Sequence, residues 1–321
     1  MNTSARKHHY VTAEYLGGFA DARGRLCVID LVREQVRLNQ APHAIGHKRD
    51  LHRVDAPGVP PDEVEVTMAS IEGPGIGAIQ RAIATGRVPE GEDLSWVVAF
   101  IALHAARVPR VRAVTSLAVE QASLTMLRMS VATPERWAAL RESVRAGGSE
   151  EMPDVPYQEM REYIERADFK ISAGNTWEVL QALDQAQQIC GLLLHRNWTL
   201  LAAVGSADHF VCSADPVGLN WSTPRPPSPF SPGFALPETD VTFPLSSRLA
   251  LLGRFEPVPE VIPADTAIVA AVNSMTGRGA DEVYARAQDL PWLGPDHTIR
   301  RGGLLDSWKA SRAAAEGGKD V

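Results

Sequence analysis

The chain has 321 residues, 45% of them hydrophobic, and carries 39 acidic against 32 basic side chains for a formal net charge of −7. That is enough apolar material for a sizeable core and excludes a wholly disordered chain, while the acidic balance disfavours a charge-driven grip on DNA or RNA. Its three cysteines (Cys27, Cys190 and Cys212) form no CxxC pair, which reads as reduced thiols in a cytoplasmic protein.

The first stretch, RKHHYVTAEYLGGFA, sets adjacent histidines His8 and His9 before an aromatic and apolar run, and nothing there is apolar for long enough to act as a signal peptide. Alternation in Leu26, Val28 and Asp30, and again in Val36 and Leu38, predicts a β-hairpin. A loop rich in Pro, Gly and His follows, containing His43, His47 and His52. From Asp62 to Gly86 the residues Val64, Met68, Ile71, Ile79 and Ile83 keep a helical period, which Gly73–Gly75 should kink or split. Asp93 is expected to cap a strongly apolar helix whose run Trp96–Ala106 is about half what a bilayer crossing needs. Pro109 should break that helix, with helical pattern resuming to Val131. Thr133, Pro134 and Gly147 mark the cap, first turn and stop of another helix, and two more are expected at Pro156–Ala167 and Thr176–His195.

Composition changes at Asn197. Two strands joined by a turn are expected within Asn197–Val217, then a proline-rich loop over 222–239, then a strand region from Val241. Asp265 should cap a helix, and Ala280–Leu290 reads as one more. The stretch beyond Trp308 reads as a disordered tail. The expected fold is α+β, a predominantly helical N-terminal two-thirds packed on a small mixed or antiparallel sheet. One domain over 1–308 is expected, with an opening motif and hairpin (7–60), a helical part (62–195) and a β-rich part (197–290).

Several polar groups stand out against that frame. Neighbours on an extended chain point to opposite sides, so His8 and His9 cannot share one ion, though one of them can enter a site. Glu65 and Glu72 lie two helical turns apart, about 10 Å, on one face. His104 and Arg107 share a face of the most apolar helix, where a buried guanidinium needs an acid such as Glu72 or Asp215, or a bound anion. Ser213-Ala214-Asp215-Pro216 places a carboxylate at a strand end, with its backbone biased to an extended form by Pro216. Each of these also has a plain structural reading as a solvated face, a turn or a core ion pair. HExxH, GxSxG, a P-loop and a dinucleotide fingerprint are missing, so no nucleotide cofactor is expected.

Taken together the motifs resemble a bacterial family known as domain of unknown function 4238. The matching residues are His8-His9-Tyr10-Val11, Tyr15-Leu16 and Phe19, then Ile71-Glu72 and Arg107-Val108-Pro109. Further on come Trp198, Phe210 through Val217 with Asp215-Pro216, and Pro244-Leu245-Ser246-Ser247-Arg248. Thr12 stands where the family usually has Pro, Ala214 where it has Ser, and His104 where Gln is expected. The resemblance implies no activity.

The groups themselves suggest an enzyme with a His/Glu/Arg/Asp pocket, performing metal-assisted or general acid–base hydrolysis, or lyase-type chemistry, on a small anionic substrate, with bacterial specialised metabolism as its expected setting. Catalysis would fall to His8, His9, Glu72, His104 and Asp215. Substrate binding would fall to Arg107, Tyr10, Ser213 and Arg248, and a divalent metal ion could sit on His9, Glu72 and Asp215. A small molecule is a better partner than nucleic acid, and no membrane association is expected. The alternatives are a metal-dependent nuclease-like defence effector and a non-catalytic binding module.

Overall fold

The computed structural model describes residues 7–49, 63–147, 155–171, 174–223, 225, 231–294 and 296–309, which hold eight α-helices and thirteen strands in the order below, besides a 3-10 turn at Pro42–Ala44 and a helical stretch over 304–309. The N-terminal portion holds β1 (Lys7–His9), α1 (Ala13–Gly17), the hairpin β2 (Leu26–Asp30) and β3 (Gln35–Gln40), and β4 (His47–Arg49). Helices follow: α2 (Glu63–Thr85), α3 (Gly91–Arg107), α4 (Pro109–Ser130), α5 (Pro134–Ala146), α6 (Tyr157–Arg166) and α7 (Asn175–Leu193). Strands then dominate: β5 (Asn197–Ala203), β6 (Cys212–Ser213), β7 (Gly218–Trp221), β8 (Thr239–Pro244), β9 (Leu249–Arg254) and β10 (Val261–Ala264). Helix α8 (Thr266–Gly277), β11 (Glu282–Ala285), β12 (Pro291–Leu293) and β13 (Ile299–Arg301) complete the order.

The fold is α+β, as expected. One sheet runs β10-β5-β9-β8-β7, antiparallel except for the parallel β10–β5 pair, and a second runs β3-β2-β11-β6, antiparallel throughout. Strand pairs β1–β4 and β12–β13 stand apart as ribbons. No helix among the described residues is long and apolar enough to cross a membrane.

Local signals set several boundaries. Thr133 accepts from the backbone N–H of Arg136 and Asp265 from that of Ile268, so both act as the expected N-caps. Pro109 opens α4 as its first residue, and Val108 before it is extended, as a residue preceding proline should be. Helix α2, by contrast, runs unbroken through Pro74. Packing supplies the compensation: a Cβ on Gly75 would come within 2.8 Å of Phe100, so the glycine lets α2 and α3 approach closely enough to offset the proline. Asp93 lies in the first turn of α3 and not at its cap, where its carboxylate takes two bonds from Arg81 at 2.8 and 2.6 Å.

Three strand expectations change. Cys212–Ser213 does not form a hairpin with β5 but edges the other sheet, because β5 is already paired on both sides by β9 and β10. The region from Val241 is a hairpin, β8 and β9. The stretch 280–290 contains strand β11 and no helix, inserted between β2 and β6 with Val283 and Tyr284 fully buried. The stretch 310–321 and His52 lie outside the described residues, as does part of the proline-rich loop.

The opening segment is the keystone of the core. Val11, Tyr15, Leu16 and Phe19 pack in one apolar cluster with Ile79, Phe100, Phe243 and Tyr284, joining the helices to both sheets. Tyr15 stacks on Phe243 at 5.2 Å and donates its hydroxyl to the Pro244 carbonyl at 2.5 Å. Full burial of side chains such as Leu16 and Phe19 contributes about 1.5–3 kcal/mol each, so His9 and Tyr10 are carried on a firmly anchored strand.

Candidate functional site

Residues from three segments converge at the N-terminal half of α2. A cavity of about 260 Å³ is lined by His9, Glu14, Glu65, Met68, Glu72 and Arg107 among others. The seven-residue spacing that puts Glu65 and Glu72 on one helical face thus brings both carboxylates to the same cavity.

Behind its wall runs a buried polar chain. Arg107, the last residue of α3, is almost wholly buried and donates Nη1–H to the Glu72 carboxylate, one of the two acids named as candidates for it. Its Nη2 donates to Nε2 of His104 at 2.9 Å, and His104 Nδ1 is 2.9 Å from the Phe100 carbonyl. A carbonyl can only accept, so Nδ1 carries the hydrogen and Nε2 offers its lone pair to the guanidinium. Burial first, and the adjacent Arg107 charge second, hold the His104 pKa well below its ordinary value. The imidazole is therefore neutral with both nitrogens engaged, so it orients Arg107 and has no lone pair left for a substrate proton or a metal. Among the described residues Arg107 Nε has no hydrogen-bond partner.

Consecutive residues at the end of β1 serve opposite sides. His9 lines the first cavity, while Tyr10 lines a second, of about 450 Å³, together with Asp30, Arg37, His47, Ala214 and Glu282. His9 and His47 pair across the β1–β4 ribbon and meet edge to face, with ring centroids 5.3 Å apart, His9 lining the first cavity and His47 the second. The backbone of His8 pairs with Lys48; its side chain lies outside the described set.

The second cavity owes its chemistry to strand register. Asp30 and Glu282 face each other directly across β2 and β11, an unfavourable pairing of like charges unless a cation intervenes. Arg37 on β3 supplies it, bonding Glu282 Oε1 and lying 3.8 Å from Asp30. Tyr10 and Tyr284 both donate to Glu282 Oε2, at 3.1 and 2.8 Å, with their hydroxyls 3.2 Å apart. Burial, reinforced for Tyr10 by the Glu282 charge, raises both phenol pKa values, so both stay protonated as hydrogen-bond donors near neutral pH. Of this group only Tyr10 stood out in the sequence. The alternation Glu282-Val283-Tyr284-Ala285 was the available signal, since it puts the two polar side chains on one face of a strand.

The remaining nominated residues have other partners. Ser213 donates to the Thr276 carbonyl at 2.6 Å and accepts the Asp215 N–H at 3.1 Å, shaping the strand end. Asp215 follows Ala214 of the larger cavity but lines neither cavity. Arg248 donates to the carbonyls of Ala203, Gly205 and Asp208, closing the turn after β5. His9 and Glu72 therefore share a cavity without Asp215. Among the described residues no group of three or more His, Cys, Asp or Glu side chains is placed to hold a metal ion.

A family model described as "Protein of unknown function (DUF4238)" matches residues 7–289, a span that includes both cavities. No curated protein and no solved structure matches the chain.

Proposed function

The chain belongs to that family of proteins of unknown function, and we propose that it is a general acid–base enzyme, a hydrolase ahead of a lyase, whose small substrate occupies the 260 Å³ cavity. The observation that carries this reading is the meeting of His9, Glu72 and Arg107, from three separate segments, on one cavity wall. His9 supplies the group best suited to moving a proton near neutral pH. Glu72 is gripped by Arg107 through Oε1, and its other oxygen would orient a water or the imidazole.

Arg107 points to the substrate's chemistry. It lines the cavity beside His9 and is held by Glu72 and His104, so its positive charge favours an oxygen-bearing, electron-rich group on the substrate and needs no reorganisation to do so.

Turnover of a panel of esters, lactones, amides and phosphoesters by purified wild type, His9→Gln and Glu72→Gln tests the proposal. Each variant is expected to lose at least a hundredfold in kcat/KM on whichever compound wild type converts. Wild type inert on the whole panel, or variants as active as wild type, would overturn it.

A further inference from the structure

The face of α2 that forms the proposed site continues past it. Glu65, Met68 and Glu72 line the 260 Å³ cavity, and Ile76, Ile79 and Ile83 line a second one of about 220 Å³. Steps of three and four residues keep all six on a single helical stripe, which turns from acidic to aliphatic after Glu72. Glu14 of α1 lines both cavities, so the two adjoin at that residue. Tyr15 and Leu245 close the aliphatic one, and Gly17 and Gly18 leave its α1 wall without side-chain bulk.

We infer that the substrate is amphipathic: an oxygen-bearing polar head beside His9, Glu72 and Arg107, and an unbranched apolar chain laid along α2 into the isoleucine cavity. This rests on the acid–base reading for its head-group site, but the chain site stands on its own residues. Two turns of helix from Glu72 to Ile79 cover about 10 Å, a span suited to a medium-length acyl chain. A solute confined to the polar cavity would leave the adjoining isoleucine cavity, in which Glu14 and Gln80 are the polar lining residues, unused. A chain reaching into it gains roughly fourfold in affinity for each methylene removed from water.

Binding of primary n-alkyl amides from acetamide to octanamide, followed by NMR on the full chain, tests the inference without requiring turnover. These probes are neutral and join a polar amide head to an unbranched apolar chain. Affinity is expected to climb by about fourfold per methylene and to perturb Ile76, Ile79 and Ile83 as the chain lengthens. Gly17→Phe should flatten that climb and leave acetamide binding unchanged. A Cβ at Gly17 meets no atom within 4 Å, so the added ring has room and the variant should fold. Ile83→Trp, which fills the cavity from α2, should do the same. Affinity independent of chain length in wild type, or a climb untouched by both variants, would overturn the inference. A chain-length climb in a protein that turns over nothing would instead sink the acid–base reading alone.

Discussion

The two cavities on either side of the opening strand are built by different rules. The His9 cavity takes its charged groups from helices, and its key pair, Arg107 with Glu72, is sealed from water on the arginine side. The Tyr10 cavity takes its groups from neighbouring strands, and its central cation, Arg37, keeps 29% of its side-chain surface exposed. Helical spacing is local, so each helix of the first site offers side chains three, four or seven residues apart, and packing of α2 on α3 then joins Glu72 to Arg107. Strand register is not, so the second unites residues as distant in sequence as Tyr10 and Glu282. A buried, self-contained chain of hydrogen bonds fixes the first; a partly wet ion-pair network fixes the second.

Removing the central cation from each site should separate them most sharply. Arg107→Met leaves the Glu72 carboxylate in a half-buried place without its counter-ion and His104 Nε2 without its donor. Urea unfolding should show a loss of about 3–5 kcal/mol. Arg37→Met leaves Glu282 two phenol donors and nearby water, and about 1–2 kcal/mol is expected. Equal losses would mean that the burial difference carries no energetic weight.

A smaller effect concerns pH. His104 is neutral in the fold with its pKa depressed by burial, whereas in the unfolded chain it titrates near the ordinary value of about 6.5. As pH falls below that value the unfolded state takes up a proton that the native state refuses, so the stability contributed by neutral His104 is present above it and lost below. At pH 5.5 the loss amounts to about 1.4 kcal/mol. His104→Gln, which can still donate to the Phe100 carbonyl and accept from Arg107, should remove this part of the acid slope. Stability curves of wild type and variant that run parallel from pH 7.5 to 5.5 would contradict it.

The same contrast explains what could be read from the residues alone. Glu65 with Glu72, and His104 with Arg107, were visible as face-sharing pairs because a helix converts spacing directly into position. The caps at Thr133 and Asp265 were equally local. The pairing of β1 with β4 was not, since it joins His9 to His47 across an intervening hairpin. Residues 280–290 mix Ala, Glu and Arg, good helix formers, with Val and Tyr. Pairing with β2 and β6 decided for a strand against that local preference. Missing that strand meant missing Glu282 and Tyr284, the acid and one of the two phenols in the network beside the larger cavity. Arg248 and Ser213 were visible as polar residues near strand ends, but only the folded turn shows that backbone carbonyls claim their donors.

The most direct test of the His9–Glu72 site is a histidine-selective NMR titration of wild type and Glu72→Gln between pH 5 and 8. The account predicts that His104 reports one neutral tautomer, protonated on Nδ1, throughout the range, and that the His9 ring resonances move when Glu72 is replaced. A His104 that titrates alongside exposed histidines, or His9 resonances that superimpose in the two proteins, would contradict it.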